Sequence, residues 1–138
     1  MRYLFILSTL LIVSFPFQAQ QAKAMAEEKD TTDQKKPTKP KVIFGIASYY
    51  ADKFNGRPTA NGEIYDGKKM TAACNQLPLG TWIRVTNLNN NRSVIVKTND
   101  RLHIRMKRVV DLSRAAAEKL GYIGRGLTKV KVEVLEKK

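Results

Sequence analysis

Two polar clusters in this 138-residue chain carry the carboxylates best placed for acid–base chemistry. Asp100 lies in Thr98-Asn99-Asp100-Arg101, directly after an apolar strand pattern, and Glu63 ends Thr59-Ala60-Asn61-Gly62-Glu63. Carboxylates from two distant segments are what cleavage of a glycosidic bond requires. One must protonate the leaving oxygen, and the other acts around the oxocarbenium-like centre. Simpler interpretations stay open: a turn aspartate paired with Arg101, which the common Asn-Asp turn chemistry favours, and an exposed loop acid at Glu63.

The single cysteine and the single histidine limit nucleophilic and metal chemistry. Cys74 as a nucleophile would need His103 as its base, and a small, partly buried thiol is the favoured alternative. One cysteine excludes a disulfide within the chain, and no ligand spacing supports a metal site built from Cys74, His103 and carboxylates. We therefore predict no metal and no cofactor, and we place His103 on the surface or in a groove.

Aromatic side chains are candidates for stacking on sugar rings, with core packing as the alternative. They are Tyr49, Tyr50, Phe54, Tyr65 and Trp82. We predict that Trp82 packs in the core and that Tyr50 lines a groove. The chain has neither a glycine-rich phosphate loop nor the aromatic pattern of an RNA-binding sheet, so nucleic acid is not a predicted partner.

The first 24 residues have the pattern of a secretory signal peptide. Arg2 precedes an apolar run over 4–17, and Ala22-Lys23-Ala24 fits the small-residue rule for signal peptidase, so we expect cleavage after Ala24. A membrane anchor is the alternative, but a bilayer span takes about 20 apolar residues. No cysteine lies near this segment to carry a lipid. We therefore expect an exported protein of the periplasm or cell wall that keeps no membrane anchor.

The remaining sequence predicts a tether followed by one domain. Residues 25–41 are rich in charge and proline and read as a disordered basic linker, which leaves 42–138 as a domain of 97 residues. That domain has 18 Lys and Arg against 8 Asp and Glu, and the whole chain has a net charge of +13. Such an excess indicates an anionic partner. Outside the cytoplasm, that partner would be the cell wall. The sequence does not indicate an oligomeric state.

Strand signals dominate the predicted domain. They cover 42–50, 82–86, 93–97, 109–110 and 130–134, and an asparagine-rich hairpin turn lies at 89–91. One helix is predicted between a Ser113 cap and Gly121. Residues 52–70 read as a long loop, and loops of that length usually carry function. Short strands with one helix favour a small closed or nearly closed barrel.

Six short motifs resemble those of the rare lipoprotein A (RlpA) family. They follow one another in the family's order and span nearly all of residues 43–135. The motifs are Gly45-Ile46-Ala47-Ser48-Tyr49-Tyr50, Asn55-Gly56-Arg57-Pro58-Thr59-Ala60-Asn61-Gly62-Glu63, Leu77-Pro78-Leu79-Gly80-Thr81, Val85-Thr86-Asn87-Leu88, Asn99-Asp100-Arg101 and Asp111-Leu112-Ser113-Arg114-Ala115-Ala116. The resemblance implies a mainly β fold, a six-stranded double-psi β-barrel related to expansins. We expect one or two short helices in it, preceded by the signal peptide and tether.

The resemblance also implies an endolytic peptidoglycan lytic transglycosylase. Such enzymes cut between N-acetylmuramic acid and N-acetylglucosamine and leave a 1,6-anhydromuramic end. Asp100 and Glu63 match the family's catalytic acids. We expect the motif residues Tyr50, Asn61, Asn99 and Arg101 to bind the glycan strand.

The chain departs from the family pattern at two places near these motifs. Cys74 stands where the family usually has histidine, and Leu102-His103 replaces a Gly-Pro turn. These departures keep alternatives open. One is a non-catalytic, expansin-like module that binds peptidoglycan or loosens the wall. A weaker one is a protease inhibitor or other secreted interaction protein.

Overall fold

The computed structural model describes residues 39–136. The predicted signal peptide (1–24) and all but the last three residues of the predicted linker (25–41) lie outside this range, so both stay predictions. In the described part of the chain, no helix is both long and apolar enough to cross a bilayer.

Six strands close into one barrel, in the order β1-β5-β2-β4-β3-β6. The strands are β1 (Val42–Tyr49), β2 (Thr71–Ala73), β3 (Trp82–Asn87), β4 (Ser93–Asp100), β5 (Val110–Leu112) and β6 (Thr128–Val134). The β1–β5 and β2–β4 pairs are parallel, and the other four are antiparallel. The predicted mainly β, six-stranded barrel is confirmed.

Alternation along the strands fills the barrel with aliphatic side chains, because successive side chains of a strand point to opposite faces. In β6, Val130 and Val132 are buried, as the alternating pattern predicts. In β3, Ile83 and Val85 take the inward positions, which turns Trp82 outward and leaves it 44% exposed. The prediction that Trp82 packs in the core is therefore wrong.

Strand β4 runs further than its apolar pattern predicts, and this extension positions Asp100. Its polar end pairs in parallel with β2, where Ala72 faces Thr98 and Ala73 faces Asp100 across a register shift. Asp100 is thus the last residue of a barrel strand. The interpretation of Asp100 as a turn aspartate is wrong, because β2 supplies the partner that continues the strand.

The predicted helix is α1 (Arg114–Leu120), and a short 3-10 turn covers Asp52–Phe54. Ser113 caps α1, since its Oγ accepts a hydrogen bond from the Ala116 N–H at 3.3 Å. Gly121 ends the helix in the left-handed conformation with φ of 77°, where a residue without Cβ carries no steric penalty. Both capping predictions are confirmed.

We predict that Gly45→Ala lowers the free energy of unfolding by about 1–3 kcal/mol, the usual cost of overpacking. A Cβ on Gly45 would meet Val109 Cγ1 at 2.3 Å. Gly124→Ala is the matched control, because no atom lies within 4 Å of its added Cβ. Chemical denaturation measures both. In a double-mutant cycle, Val109→Ala should absorb part of the Gly45→Ala loss; equal losses at the two glycines would contradict the close packing.

Candidate active site

The loop that carries Glu63 is a compact turn held by its own polar groups. The Thr59 N–H donates to the Glu63 carbonyl at 2.7 Å, and Pro58 and Ile64 form a β-bridge at its base. Inside the turn, Asn61 Oδ1 accepts the Glu63 N–H at 3.0 Å and lies 2.7 Å from the Thr59 hydroxyl. The Asn61 side-chain oxygen therefore stabilises the loop. The predicted contact of Asn61 with substrate is a separate role and stays a prediction.

This loop docks on the polar end of β4, which brings the two predicted clusters together. The Asn61 N–H donates to the Asn99 carbonyl at 3.2 Å, and the Ala60 N–H donates to Asp100 Oδ1 at 2.9 Å. From the strand side, Asn99 Nδ2 donates to Glu63 Oε2 at 3.1 Å. The two acids therefore lie on one surface, although the groups that join them are 36 to 40 residues apart in the chain.

The two carboxylate oxygens of Asp100 have different partners. Oδ1 accepts two backbone N–H groups, from Ala60 at 2.9 Å and Arg101 at 2.8 Å. Oδ2 accepts the Tyr50 hydroxyl at 2.6 Å. An amide N–H can only donate, whereas a hydroxyl can donate or accept. Oδ2 is thus the oxygen that can carry a proton without losing its partner.

Tyr50 is held in place by neighbouring rings. Its ring centroid lies 4.4 Å from that of Tyr65 and 5.8 Å from that of Phe54. Burial, and then the hydrogen bond to Asp100, raises the pKa of Tyr50 well above its ordinary value. The phenol therefore stays neutral and keeps its proton for Asp100.

Glu63 has an environment that favours its charged form. The side-chain amide of Asn99, and then that of Asn61, lowers the pKa of Glu63 below its ordinary value, and Lys97 and Lys69 add a smaller effect. Hydrogen bonds to a carboxylate stabilise its ionised state. Glu63 is exposed and is an anion at neutral pH.

Arg101 holds the backbone near the site. Its Nη1 donates to the Leu77 carbonyl at 2.6 Å and also to the Cys74 carbonyl. No salt bridge joins Arg101 to Asp100 among residues 39–136, so the simpler interpretation of that pair is wrong. The predicted contact of Arg101 with substrate stays a prediction.

Cys74 and His103 lie in different environments, which argues against a nucleophile and its base. The Cys74 side chain is 1% exposed and belongs to the apolar core, whereas His103 is exposed. The Cys74 backbone N–H donates to the Asp100 carbonyl at 3.1 Å. This position therefore touches the site through its backbone. Within the described range, no three His, Cys, Asp or Glu side chains group as metal ligands would.

Two donors to Asp100 escape sequence reasoning, the backbone N–H groups of Ala60 and Arg101. Residue types carry no signal for them, since every non-proline residue has the same group.

A cavity of about 660 Å³ lies next to Tyr65 and is lined by Asp52, Arg114 and Glu118 among others. Neither Asp100 nor Glu63 lines it.

Comparison with known proteins places this geometry in context. The sequence family described as "Lytic transglycolase" matches residues 43–132. A protein of Pseudomonas aeruginosa (strain UCBPP-PA14) named "Endolytic peptidoglycan transglycosylase RlpA" is 55% identical over 94 residues, which cover 68% of this chain and 28% of that protein. The protein of the same name in Haemophilus influenzae is 42% identical over 125 residues, 91% of this chain and 44% of its own length. The chain therefore spans less than half the length of either relative.

A solved structure shows the same fold. The apo expansin of Clavibacter michiganensis matches with a TM-score of 0.57 at 20% identity, covering 71% of this chain and 52% of that one. At this identity the likeness shows the fold alone. It confirms the predicted double-psi barrel fold.

We predict that Asn99→Ala raises the pKa of Glu63 toward its ordinary value, because the largest cause of its lowering is removed. Carboxyl-detected NMR titration measures it. Asn75→Ala is the control, since Asn75 bonds to Leu102 and not to Glu63. A carboxyl whose pKa is lowered by folding stabilises the fold at pH above its pKa in the unfolded chain. This contribution is lost as the pH falls through its pKa in the folded protein. The stability gap between wild type and Asn99→Ala should therefore narrow in acid; an unchanged Glu63 titration would exclude the Asn99 contact.

Proposed function

This chain belongs to the lytic transglycolase family, and from that membership we propose that it cleaves peptidoglycan glycan strands between N-acetylmuramic acid and N-acetylglucosamine. The observation that carries the proposal is the docking of the Glu63 loop on the end of β4, where Ala60 bonds to Asp100 and Asn99 bonds to Glu63, so that both acids lie on one surface. The names of the relatives support the same reaction class. The product would carry a 1,6-anhydromuramic end.

Asp100 is the proton carrier in this proposal. When Oδ2 is protonated, its O–H can donate to the Tyr50 hydroxyl at the 2.6 Å contact until substrate binds and the O–H turns to the glycosidic oxygen. Once that proton has left, the Tyr50 hydroxyl donates to Oδ2 again. In the first step Oδ2–H protonates the glycosidic oxygen as the bond from that oxygen to the muramic anomeric carbon breaks. In the second, the Asp100 carboxylate takes the proton of the muramic 6-hydroxyl as that oxygen attacks the anomeric carbon. The proton returns to Asp100, and no water is consumed.

Glu63 supplies negative charge in this proposal. Its carboxylate is ionised at neutral pH, and the amides of Asn99 and Asn61 lower its pKa further, so it can stabilise the positive charge that develops at the anomeric carbon. Two carboxyl groups in unequal environments thus take two roles, with Asp100 exchanging a proton and Glu63 remaining an anion.

The remaining site residues position these two acids. Tyr50 orients Oδ2, and Asn99 joins the strand to the Glu63 loop. Asn61, Asn99 and Arg101 are the proposed contacts to a bound glycan, whereas the Tyr50 hydroxyl is bonded to Asp100. Cys74 takes no part in proton transfer, since its thiol is buried in the core.

A second candidate function is a non-catalytic module that binds peptidoglycan. The buried Cys74 thiol, at a position where the family pattern has histidine, favours it. The surface that carries Asp100 and Glu63 would then bind a glycan strand without cutting it. The products distinguish the two functions.

We also propose that the protein is exported and acts in the cell envelope. The apolar run at 4–17 and the excess of basic residues support this location, and peptidoglycan is the proposed partner. A wall polymer rich in carboxylates would hold a basic domain by a salt-sensitive attraction.

We predict that Asp100→Asn lowers the rate of anhydromuramic product formation by about 100- to 10,000-fold, the usual contribution of a general acid–base. Asparagine keeps an oxygen for the two backbone donors at Oδ1, so the loop should stay docked. Glu63→Gln should cost about 100- to 1,000-fold, as the loss of a stabilising charge does. Mass spectrometry of purified glycan strands measures both.

The control for these variants is Asp66→Asn, an acid of the same loop that bonds only to the Lys68 backbone N–H. It should retain wild-type activity. Intact strands with retained glycan binding in the wild type would leave the binding module as the function. A reducing muramic end would show hydrolysis and contradict the proposed reaction.

We predict that Tyr50→Phe lowers kcat by about 10- to 100-fold, the value of one hydrogen bond to a charged group. KM should change little if Tyr50 acts on Asp100 and not on substrate. Tyr49→Phe is the control, since its hydroxyl bonds to the Ile123 carbonyl. A rise in KM alone would assign Tyr50 to substrate binding.

A further inference from the structure

The turn between β4 and β5 is the most basic short segment beside the site. Residues 101–108 read Arg-Leu-His-Ile-Arg-Met-Lys-Arg and contain no acid. The segment begins directly after Asp100, so whatever it contacts lies close to the candidate active site.

Both ends of this turn are fixed to the barrel. Leu102 is held by Asn75, which accepts its N–H at 2.9 Å and donates to its carbonyl at 3.1 Å. At the far end the Val109 N–H donates to the Ile46 carbonyl at 2.9 Å. Between these anchors, the hydrogen bonds of 103–107 are internal, from the Arg105 and Met106 N–H groups to His103. The middle of the turn therefore projects from the barrel.

The projecting residues combine aliphatic and cationic side chains. Ile104 is 89% exposed, more than any other large hydrophobic residue in the described range, and Met106 is 44% exposed. Arg105 and Lys107 are also exposed, and no salt bridge within residues 39–136 includes them. Arg108 differs, because it pairs with Asp111 at 2.8 Å.

We propose that the turn at 103–107 contacts the surface of an anionic lipid bilayer. Ile104 and Met106 enter the boundary between headgroups and acyl chains, while Arg105 and Lys107 meet the lipid phosphates. Amphipathic segments bind bilayers by this combination of apolar burial and attraction to anionic lipids. A hydrophilic polyanion would satisfy the cations but would give Ile104 no apolar surroundings. The pairing of both chemistries in one turn therefore favours lipid over a wall polymer.

This contact would bring the end of β4 to the membrane surface, because Arg101 and Leu102 connect Asp100 to the turn. The glycan reached by the acids would then be the layer next to the membrane. The membrane contact uses no residue of the proposed chemistry, so it can be tested separately.

The test places an environment-sensitive dye on Ile104→Cys in the full chain. Cys74 is 1% exposed and stays unlabelled in the folded protein. Ile95→Cys with the same dye is the matched control, an isoleucine 47% exposed on the outer face of β4. Vesicles of phosphatidylcholine containing phosphatidylglycerol are compared with vesicles of phosphatidylcholine alone. Because the readout is local, tethering by another part of the chain does not imitate insertion of the turn.

The expected result is a blue shift at position 104 with anionic vesicles only, and none at position 95. Arg105→Ser/Lys107→Ser should weaken the apparent affinity about 25-fold, at about fivefold for each cation. Lys119→Ser/Arg125→Ser removes the same charge elsewhere and should leave the affinity nearly unchanged.

No shift at 104, or equal shifts at both positions, would overturn the membrane contact. The same shift with dextran sulfate would assign the turn to an anionic polymer and overturn it as well. Cleavage of glycan strands by the labelled variants should match the unlabelled chain, so failure of the membrane contact and failure of the proposed function give different results.

Discussion

The hydrogen bonds between the Glu63 loop and the polar end of β4 are the interaction on which the candidate site depends. Asp100 Oδ1 accepts the Ala60 N–H, so the carboxylate that would exchange a proton also holds the loop that carries its partner acid. The β2–β4 parallel pairing fixes the strand end from the other side. A closed barrel leaves no free edge at which this strand could slip, and the positions of both acids follow from that closure.

Local signals predict much of the fold, and long-range pairing decides the rest. The Ser113 cap and the alternation of β6 are visible in the sequence because neighbouring residues determine them. Strand β2 has no such signal, since Thr71–Ala73 is three small residues that become a strand only between β4 and β5. A tryptophan suggests a core position at 82, but Ile83 and Val85 take the inward-facing positions of β3, so Trp82 faces outward. The sequence identifies the two polar clusters as candidate site residues. It does not show that they lie together, because that depends on the docking of the Glu63 loop on β4.

The lowering of the pKa of Glu63 comes more from neutral amides than from the cations around it. Asn99 and Asn61 lower its pKa more than Lys97 and Lys69 do. Salt screens exposed charges over about 10 Å at 0.1 M but has little effect on a hydrogen bond in direct contact. The net positive charge of the domain and the ionisation of Glu63 are therefore separable properties. The first governs association with anionic surfaces, and the second is local.

Position 74 contributes to the framework of the candidate site through its backbone, whatever side chain the family resemblance leads one to expect there. Its N–H donates to the Asp100 carbonyl, and its carbonyl accepts from the Arg101 guanidinium. Any residue except proline supplies these two groups, so they do not depend on the side chain at this position. A cysteine at this position therefore supplies both contacts while its side chain packs in the apolar core. Because the Tyr50 hydroxyl can accept as well as donate, its contact with Oδ2 is available whether or not that oxygen holds a proton. A single carboxyl could therefore serve both steps of the proposed reaction without a second proton carrier at position 74.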